Sequence, residues 1–434
     1  MAEYPRCMAV ERRTVRRGGF DLYRYGGLLI GVAVFLFAAP FAYRQANSYD
    51  GSVMERVAVG IADHGDPLVS QQPDEFGLNT PYSNYGIGTS VVMAPLHLAA
   101  RAVGADPMRS MNLVDAVFVG GTGIAVFETL RRRGVSRRLT IVTTVLVTVG
   151  SPLLAYALTD FSEPGIALTI ALGVLGLDGV VRETRYAALG VGAAVGAAVL
   201  LRSDSLGLVG VPFACALLLL SRRRTRDAGL FAVGVAPFLA GWAWYNAARF
   251  HSLFGGAYRY QGFTHPLLPG LYGLTLAPGR GVFVYAPLII VGLVVVPKLR
   301  GADRVLGVLA VVLLVLRVAF YARWWAWYGG SVWGPRFLVP VIPAFAPALA
   351  TALERWSRSR AVAVAVVLTV AMSFVGVWGT THPELNPYVS GPVHAGDTKQ
   401  IMAQFTSTAY VDRTDHIMFD WSRFPLRSAK TPEP

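Results

Sequence analysis

YGGLLIGVAVFLFAAPFAYRQANSYDGS (residues 25–52) places a carboxylate, Asp50, just past the end of a long apolar run. The apolar part, from about Tyr25 to Tyr43, is long enough to cross a bilayer as an α-helix. An arginine-rich N-terminus precedes it, and segments of this kind stay on the cytoplasmic side of a membrane. Asp50 is therefore predicted to emerge at the opposite, extracytoplasmic face.

The composition extends this prediction to the whole chain. Of its 434 residues, 54% are hydrophobic and only 15% are charged, whereas a soluble protein carries about 25% charged residues. The net charge of +13 lies mostly in arginine clusters between apolar runs. Such clusters orient helices and contact anionic lipid headgroups, so they do not indicate a nucleic-acid partner. We expect an all-α polytopic membrane protein surrounded by membrane lipids.

About eleven transmembrane helices are predicted, because apolar runs alternate with arginine clusters. They cover roughly residues 25–43, 112–130, 139–158, 164–181, 186–201, 206–220, 229–247, 282–296, 305–320, 337–353 and 361–378. In this register the dense arginine clusters lie inside, and the acidic and aromatic motifs lie outside. The predicted divisions are a basic cytoplasmic N-terminus (1–24), a membrane domain (25–378) with outer loops at 44–111 and 249–281, and an extracytoplasmic tail (379–434).

Two helices of the first outer loop are expected to lie in the membrane interface. Residues 55–63 form a short amphipathic pattern, and residues 86–103 are moderately apolar but are interrupted by Pro95, His97 and Arg101. Counting the second of these helices as a membrane span would invert the orientation of everything after it.

Asp50 is the first candidate for chemistry. A carboxylate at a helix exit, under an interfacial cover, is partly desolvated and can act as a general base near neutral pH. A solvated loop aspartate would occupy the same position in the sequence. Position alone therefore leaves both interpretations open.

Asp160 and Glu163 are a second acidic group, at the outer end of the predicted third span. Acidic side chains there could bind a divalent cation such as Mg²⁺ or Mn²⁺, or could orient an acceptor hydroxyl. Alternatively, they cap the helix that begins at Pro164, because acidic residues are favourable near a helix N-terminus.

Two glycine-arginine segments of the outer face are candidate sites for an anionic group. Gly279-Arg280-Gly281 begins a helix, where backbone N–H groups and an arginine suit a phosphate, although a simple turn has the same composition. In RWWAWYGGSVWGPR (residues 323–336), two arginines flank glycines among aromatic side chains. This pattern favours a pocket for an anionic headgroup with aromatic walls, with an interfacial aromatic belt as the alternative.

Other reaction classes lack their motifs. The sequence has no Walker A pattern, no nucleophile elbow and no dinucleotide-binding fingerprint. The outer-loop histidines have no metal-ligand spacing; they are His64, His97, His251 and His265.

The order of these motifs resembles the GT-C superfamily of integral-membrane glycosyltransferases, in the polyprenyl- or dolichyl-phosphate-sugar-dependent type related to protein O-mannosyltransferases and aminoarabinose transferases. Four segments carry the resemblance. The first is Tyr49-Asp50-Gly51 followed by Glu55-Arg56-Val57-Ala58 and Asp63-His64-Gly65-Asp66-Pro67, and the second is Tyr82-Ser83-Asn84-Tyr85-Gly86-Ile87-Gly88 with Pro95-Leu96. The third is Ala277-Pro278-Gly279-Arg280-Gly281 with Tyr285-Ala286-Pro287, and the fourth is Tyr328-Gly329-Gly330-Ser331 with Gly334-Pro335-Arg336-Phe337, then Pro340 and Pro343. The sequence departs from the family at Gly51, where many relatives have a second acidic residue.

The resemblance implies transfer of a sugar from a polyprenyl-phosphate-linked donor to a glycan, lipid or protein hydroxyl, with inversion, at the outer face of the cell membrane. It implies that Asp50 is the catalytic base and that Asp160 and Glu163 position the acceptor or a metal ion. The implied phosphate-binding residues are Arg280, Arg323 and Arg336, with Arg259 as a weaker candidate. The implied donor pocket contains Tyr49, Tyr85, Gly279, Trp327, Tyr328, Gly330 and Ser331.

A transporter or flippase of a lipid-linked glycan or an anionic lipid is the main alternative, because basic residues at a membrane face would bind an anionic headgroup equally well. Carriers often show internal repeats or charges near the bilayer midplane. The sequence has no evident repeat, and its mid-span charges are few, chiefly Asp115 and Arg317. A structural subunit of an envelope-assembly complex is a third possibility, and it would not need Asp50.

Overall fold

The computed structural model describes residues 22–42, 48–68, 82–254, 262–330, 332–382 and 408–424, and every regular element within these ranges is a helix. The first half contains α1 (Gly26–Ala38), α2 (Tyr49–His64), α3 (Gly88–Ala102), α4 (Pro107–Met111), α5 (Val114–Arg132), α6 (Arg137–Thr148), α7 (Leu153–Tyr156), α8 (Glu163–Val181) and α9 (Ala187–Leu201). The second half contains α10 (Val211–Leu220), α11 (Arg224–Phe250), α12 (Leu267–Thr275), α13 (Val282–Tyr285), α14 (Leu288–Val295), α15 (Gly301–Ala322), α16 (Ala346–Arg355), α17 (Arg360–Thr381) and α18 (Thr408–Phe419).

Several of these helices match a membrane in length and composition. Over the described ranges, seven helical segments are long and apolar enough to cross a bilayer: Leu22–Phe41, Pro107–Arg132, Glu163–Val181, Arg224–Phe250, Gly301–Ala322, Arg336–Arg355 and Arg360–Thr381. Three shorter apolar helices accompany them, at Ala187–Leu201, Leu206–Leu220 and Leu288–Lys298. The prediction of an all-α polytopic membrane protein is confirmed.

The predicted third span, 139–158, is not one continuous helix. Helix α6 ends at Thr148, and the short α7 follows only at Leu153. Gly150 and Pro152 lie in the break. Glycine is a poor helix former and proline lacks the N–H that helix continuation requires, which accounts for the interruption.

Helix α8 is the centre of the bundle. It packs against α5, α9 and a 3₁₀ helix at Arg336–Phe345. Its buried residues lie on nearly every side, which is expected of a helix that is apolar all round. The 3₁₀ helix contains Pro340 and Pro343, which cannot donate the hydrogen bonds of a regular α-helix. Because α8 begins at Glu163 and the 3₁₀ helix begins at Arg336, their packing sets the positions of both charged side chains.

Helices α9 and α11 approach each other closely through glycines. A Cβ atom on Gly192 would lie 2.1 Å from the carbonyl oxygen of Phe231, and one on Gly234 would lie 2.3 Å from that of Leu189. Neither position can accept a side chain without moving the backbone. This reciprocal contact is the small-residue packing that the glycine- and alanine-rich sequence of α9 predicts.

The two ends of α8 differ in their surroundings. At its C-terminal end, Asp178 pairs with Arg133 at 2.8 Å and with Arg182 at 2.8 Å, in the region of the arginine clusters. At the N-terminal end of the bundle, α2 and α3 pack against each other, and α3 also contacts α9. Neither α2 nor α3 is among the membrane-crossing helices of the described residues. The candidate site lies at this second end.

Candidate active site

Asp50 lies in the first turn of α2, and Ser48 fixes where that helix begins. The Ser48 hydroxyl accepts a hydrogen bond from the backbone N–H of Gly51 at 2.9 Å, which makes Ser48 the N-cap of the helix. An acidic residue in the first helical turn is favourable because the N-terminal end of a helix carries partial positive charge. The sequence Ser-Tyr-Asp-Gly therefore places the Asp50 carboxylate at a defined point on the end of the bundle.

Arg336 joins Asp50 to Glu163. Its Nη2 atom donates to Oδ2 of Asp50 at 2.6 Å, and its Nε atom donates to Oε1 of Glu163 at 2.9 Å. The guanidinium carbon lies 3.7 Å from the centre of the Phe161 ring, close enough for a cation–π contact. A single buried arginine thus contacts carboxylates from α2 and from α8.

The chain of charges continues from Glu163 to Arg202. The Nη1 atom of Arg202 donates to the same Oε1 atom of Glu163 at 2.9 Å, and its Nε atom lies 3.6 Å from Asp204. The Tyr321 hydroxyl also donates to Asp204. Arg202 therefore lies near Asp204 and also shares Glu163 with Arg336.

Tyr85 completes the contacts of Asp50. Its hydroxyl donates to Oδ1 of Asp50 at 2.7 Å. Arg249, at the end of α11, donates to the carbonyl oxygens of Ser83 and of Tyr85, the latter at 2.9 Å, and holds this segment against the bundle. Both oxygens of Asp50 therefore accept strong hydrogen bonds.

The electrostatic result is an ionised Asp50. Burial by itself would raise the pKa of Asp50, but the charge of Arg336 and hydrogen bonds from Arg336 and Tyr85 outweigh burial, and the pKa lies below its usual range. A carboxylate with a lowered pKa is a weak base. Asp50 would become a stronger base if Arg336 no longer contacted it.

Asp160 contacts the start of α2. Its two carboxylate oxygens accept from the backbone N–H of Ser48 at 3.0 Å and from the Ser48 hydroxyl at 2.6 Å. The carboxylate also lies against Gly51, where a Cβ atom would be only 1.8 Å from Oδ2 of Asp160. The absence of a side chain at Gly51 thus makes room for Asp160. An acidic side chain at this position would not fit.

Glu55, to which the sequence analysis assigned no role in the site, is a further functional candidate. It lies one turn beyond Gly51 on α2, is 2% exposed, and its Oε1 atom has no hydrogen-bond partner among the described residues. Burial and the nearby charge of Asp160 raise the pKa of Glu55 to about 8. Glu55 is consequently a neutral acid at pH 7. Its place on an amphipathic helix was visible in the sequence, but its burial depends on distant segments.

The Gly279-Arg280-Gly281 segment lies beside the aromatic segment. Arg280 is buried and donates to the carbonyl oxygens of Tyr328 at 2.5 Å, of Gly279 at 2.8 Å and of Gly330 at 2.8 Å. Arg336 donates to the intervening carbonyl of Gly329 at 3.2 Å. Arg280 and Arg336 therefore hold the same turn from two sides, and Arg280 positions the backbone of the predicted pocket.

Trp327 and Arg323 face other parts of the protein. Trp327 is buried, and its indole N–H donates to Asp415 of α18 at 2.9 Å, beside His265. Arg323 is exposed and donates to the carbonyl of Phe263 at 3.0 Å. These contacts fasten α18 and the second outer loop to the end of the bundle. The side chain of Tyr49 and the whole of Arg259 and Ser331 lie outside the described residues.

The donor set does not fit a metal ion. Glu163 contacts two arginines, Asp50 contacts Arg336, and Asp160 contacts Ser48. Within the described ranges, no group of three histidine, cysteine or acidic side chains is placed to hold a metal. The arrangement is instead a network of arginine–carboxylate pairs.

Comparisons with known proteins show a similarity in structure. No family model and no curated protein sequence matches the chain. It is similar to the crystal structure of ArnT from Cupriavidus metallidurans in the apo state, with a TM-score of 0.52 and 16% identity over 91% of this chain and 78% of that chain. It is also similar to the same protein bound to undecaprenyl phosphate, with a TM-score of 0.55 and 14% identity over the same shares. The chain therefore has the fold of these ArnT structures, which agrees with the GT-C fold predicted from its motifs.

Proposed function

We propose that the protein is a glycosyltransferase that moves a sugar from a polyprenyl-phosphate-linked donor to an acceptor hydroxyl at the extracytoplasmic face of the cell membrane. The observation that carries this proposal is the contact between Asp50 and Arg336 at the end of a GT-C bundle. A base and a phosphate-binding cation in direct contact are the two groups that the reaction requires. The ArnT structure with bound undecaprenyl phosphate supports a lipid phosphate as the donor group.

Arg336 changes partners in the proposed reaction. The donor phosphate competes with Asp50 for the guanidinium, since charge-assisted pairs between arginine and phosphate are strong and can be bidentate. Once Arg336 contacts the phosphate, the Asp50 carboxylate loses its cation and becomes more basic. Donor binding thereby prepares the base, and Asp50 stays a weak base while the donor is absent.

The chemical step then needs no further group. Asp50 takes the proton of the acceptor hydroxyl as the oxygen attacks the anomeric carbon. The bond between that carbon and the phosphate oxygen breaks, and the electron pair leaves with the polyprenyl phosphate, whose charge Arg336 stabilises. Attack opposite the leaving group inverts the anomeric configuration. Glu163 and Arg202 hold Arg336 in place, and Asp160 holds the helix that carries Asp50.

Transport of an anionic lipid is the competing function, and the buried mid-helix charges are the feature that would favour it. Asp115 accepts from the Thr159 hydroxyl and from the backbone N–H of Phe161, whereas Arg317 donates to the carbonyl of Phe337. Both charges thus contact residues next to Asp160 and Arg336. This supports a role in shaping the site over a role in a conduction path.

A transfer assay separates the two functions. The purified protein in liposomes receives radiolabelled polyprenyl-phosphate sugar, with water or an added alcohol as the acceptor. The proposal expects label to leave the lipid fraction as free polyprenyl phosphate accumulates in equal amount. Label that stays on the lipid and only crosses the bilayer would overturn the proposal in favour of a flippase.

A further inference from the structure

A long groove runs between α8 and α9, away from the candidate active site. Its volume is about 580 Å³, within the range of about 300–1,000 Å³ that small-molecule sites occupy. It is open along one side, and small or apolar residues make up most of its wall. They are Thr169, Leu172, Leu175, Gly176, Gly179, Ala187, Gly190, Ala193, Ala194 and Ala197.

The missing side chains of glycine explain the shape of the groove. A Cβ atom on Gly176 would lie 2.7 Å from Val191, and one on Gly179 would lie 2.8 Å from Ala187, so these glycines let α8 and α9 meet. Gly190 differs, because a Cβ atom there would have no heavy atom within 4 Å. The floor of the groove is thus closed by helix contact, and space remains above Gly190.

The dimensions of the groove match one leaflet of a membrane. Along α9 it extends from Ala187 to Ala197, which corresponds to about 15 Å at 1.5 Å per residue. The hydrocarbon core of a bilayer is about 30 Å thick, so one leaflet contributes about 15 Å. An extended acyl chain would therefore lie along the groove.

The groove is basic at one end only. Arg132, Thr184, Arg185 and Tyr186 line the end next to the turn between α8 and α9. Arg132 pairs with Glu128 at 2.5 Å and shares that carboxylate with Arg131. Arg185, in contrast, is exposed and forms no ion pair with any residue that the structure describes. The guanidinium carbon of Arg185 lies 5.0 Å from the centre of the Tyr186 ring, so the charge and the ring lie together at this end of the groove.

We propose that this groove binds one anionic glycerophospholipid of the leaflet next to the arginine clusters. One acyl chain lies between α8 and α9, and the phosphate contacts Arg185 with the Thr184 hydroxyl beside it. A neutral lipid would also fit the apolar channel, but its headgroup carries no net negative charge to balance Arg185. The phosphate site is separate from the proposed sugar transfer, because Thr184 and Arg185 follow the C-terminal end of α8 whereas Glu163 begins that helix.

The test uses the full chain in vesicles of phosphatidylcholine and phosphatidylglycerol in equal parts, followed by gentle detergent extraction and native mass spectrometry. We expect one retained phosphatidylglycerol per protein. Arg185→Ala lowers its retention about five-fold, which corresponds to about 1 kcal/mol for one basic residue near an anionic surface, and leaves phosphatidylcholine unchanged. Arg185→Lys restores the preference.

Gly190→Leu fills the channel and removes both lipids, and the milder Gly190→Ala lowers retention if the leucine variant does not fold. The matched controls are Arg358→Ala, which removes an exposed arginine elsewhere, and Gly229→Leu, at a position where a Cβ atom also meets no heavy atom within 4 Å. Equal retention of the two lipids by the wild type would overturn the proposal. So would unchanged retention in the Gly190 variants, or equal loss in the controls.

Discussion

The Nη2 atom of Arg336 lies 2.6 Å from the Oδ2 atom of Asp50, although 286 positions separate the two residues in the sequence. The same guanidinium contacts Glu163 through its Nε atom. Arg202 also contacts Glu163, so the charges of these two guanidinium groups and of the two ionised carboxylates sum to zero. An entering phosphate can replace one carboxylate as the partner of Arg336, and Asp50, the more exposed of the two, is the one that can be released.

The first prediction concerns how much the ion pairs of Arg336 contribute to the free energy of unfolding. Arg336→Gln leaves Asp50 and Glu163 without their shared cation, and breaking a buried pair costs about 3–5 kcal/mol. Because Glu163→Gln removes part of the same interaction, the double variant loses less stability than the sum of the single variants, by about 0.5–3 kcal/mol. Unfolding by dodecyl sulfate in mixed micelles measures the free energy of unfolding of the two single variants and the double variant relative to the wild type.

The more exposed pair between Arg101 and Asp63, at 2.5 Å, is the control for that cycle. An exposed pair contributes only about 0.2–1 kcal/mol. Strict additivity at Arg336 and Glu163 would show that the two side chains do not interact in the folded protein.

The second prediction concerns Gly51. A methyl group there would overlap Oδ2 of Asp160 and displace the start of α2. A shift of about 1 Å at a reacting group can lower a rate about 100-fold, so Gly51→Ala should reduce the transfer rate strongly. Gly229→Ala, at an open position, should have no effect.

A double variant shows whether the Gly51 effect arises from the proposed overlap. Removing the carboxylate in Asp160→Ala also removes the clash. Transfer by Gly51→Ala/Asp160→Ala should therefore equal transfer by Asp160→Ala alone. A further loss in the double variant would mean that Gly51 matters for another reason.

The third prediction is a pH dependence caused by Glu55. Burial and Asp160 raise the pKa of Glu55 to about 8, whereas the unfolded chain has a value near 4.5. Between these values the folded state holds one proton more than the unfolded state, so stability falls as the pH rises, by about 1.4 kcal/mol per unit. Below the lower value the favourable contribution is complete, and above about 8 it is lost.

Glu55→Gln should remove this slope, because glutamine is neutral at every pH. The measurement is the free energy of unfolding of the wild type and the variant from pH 5 to pH 9, and the difference between them should change in favour of the variant as the pH rises. Parallel curves would show that Glu55 titrates normally. Glu354→Gln, at an exposed residue of α16, is the matched control.

The sequence was sufficient for the fold because a bilayer imposes strong rules on composition. Long apolar runs separated by arginine clusters specify membrane helices, and neither pattern depends on distant contacts. The predicted continuous helix at residues 139–158 was wrong because Gly150 and Pro152 interrupt the helix there, although the segment remains apolar.

Contacts within the site could be predicted only in part. The motifs placed Asp50 and Arg336 on the same face, but not in contact, because the packing of α2 against the start of α8 is a long-range property. Arg280 shows that the acceptor of an arginine also could not be predicted from the sequence. Its glycine-rich surroundings suit a phosphate, yet its donors contact three backbone carbonyls, and no sequence pattern distinguishes these two kinds of acceptor.

Sugar transfer by Asp50→Asn, beside the matched variant Asp63→Asn on the same helix, tests the account most directly. Asparagine keeps the shape of the side chain but cannot accept the acceptor proton, so transfer should fall by about 10²- to 10⁴-fold while donor binding and folding persist. Asp63→Asn should transfer sugar at the wild-type rate. Wild-type transfer by Asp50→Asn would contradict the central claim, because Asp50 would then not be the base.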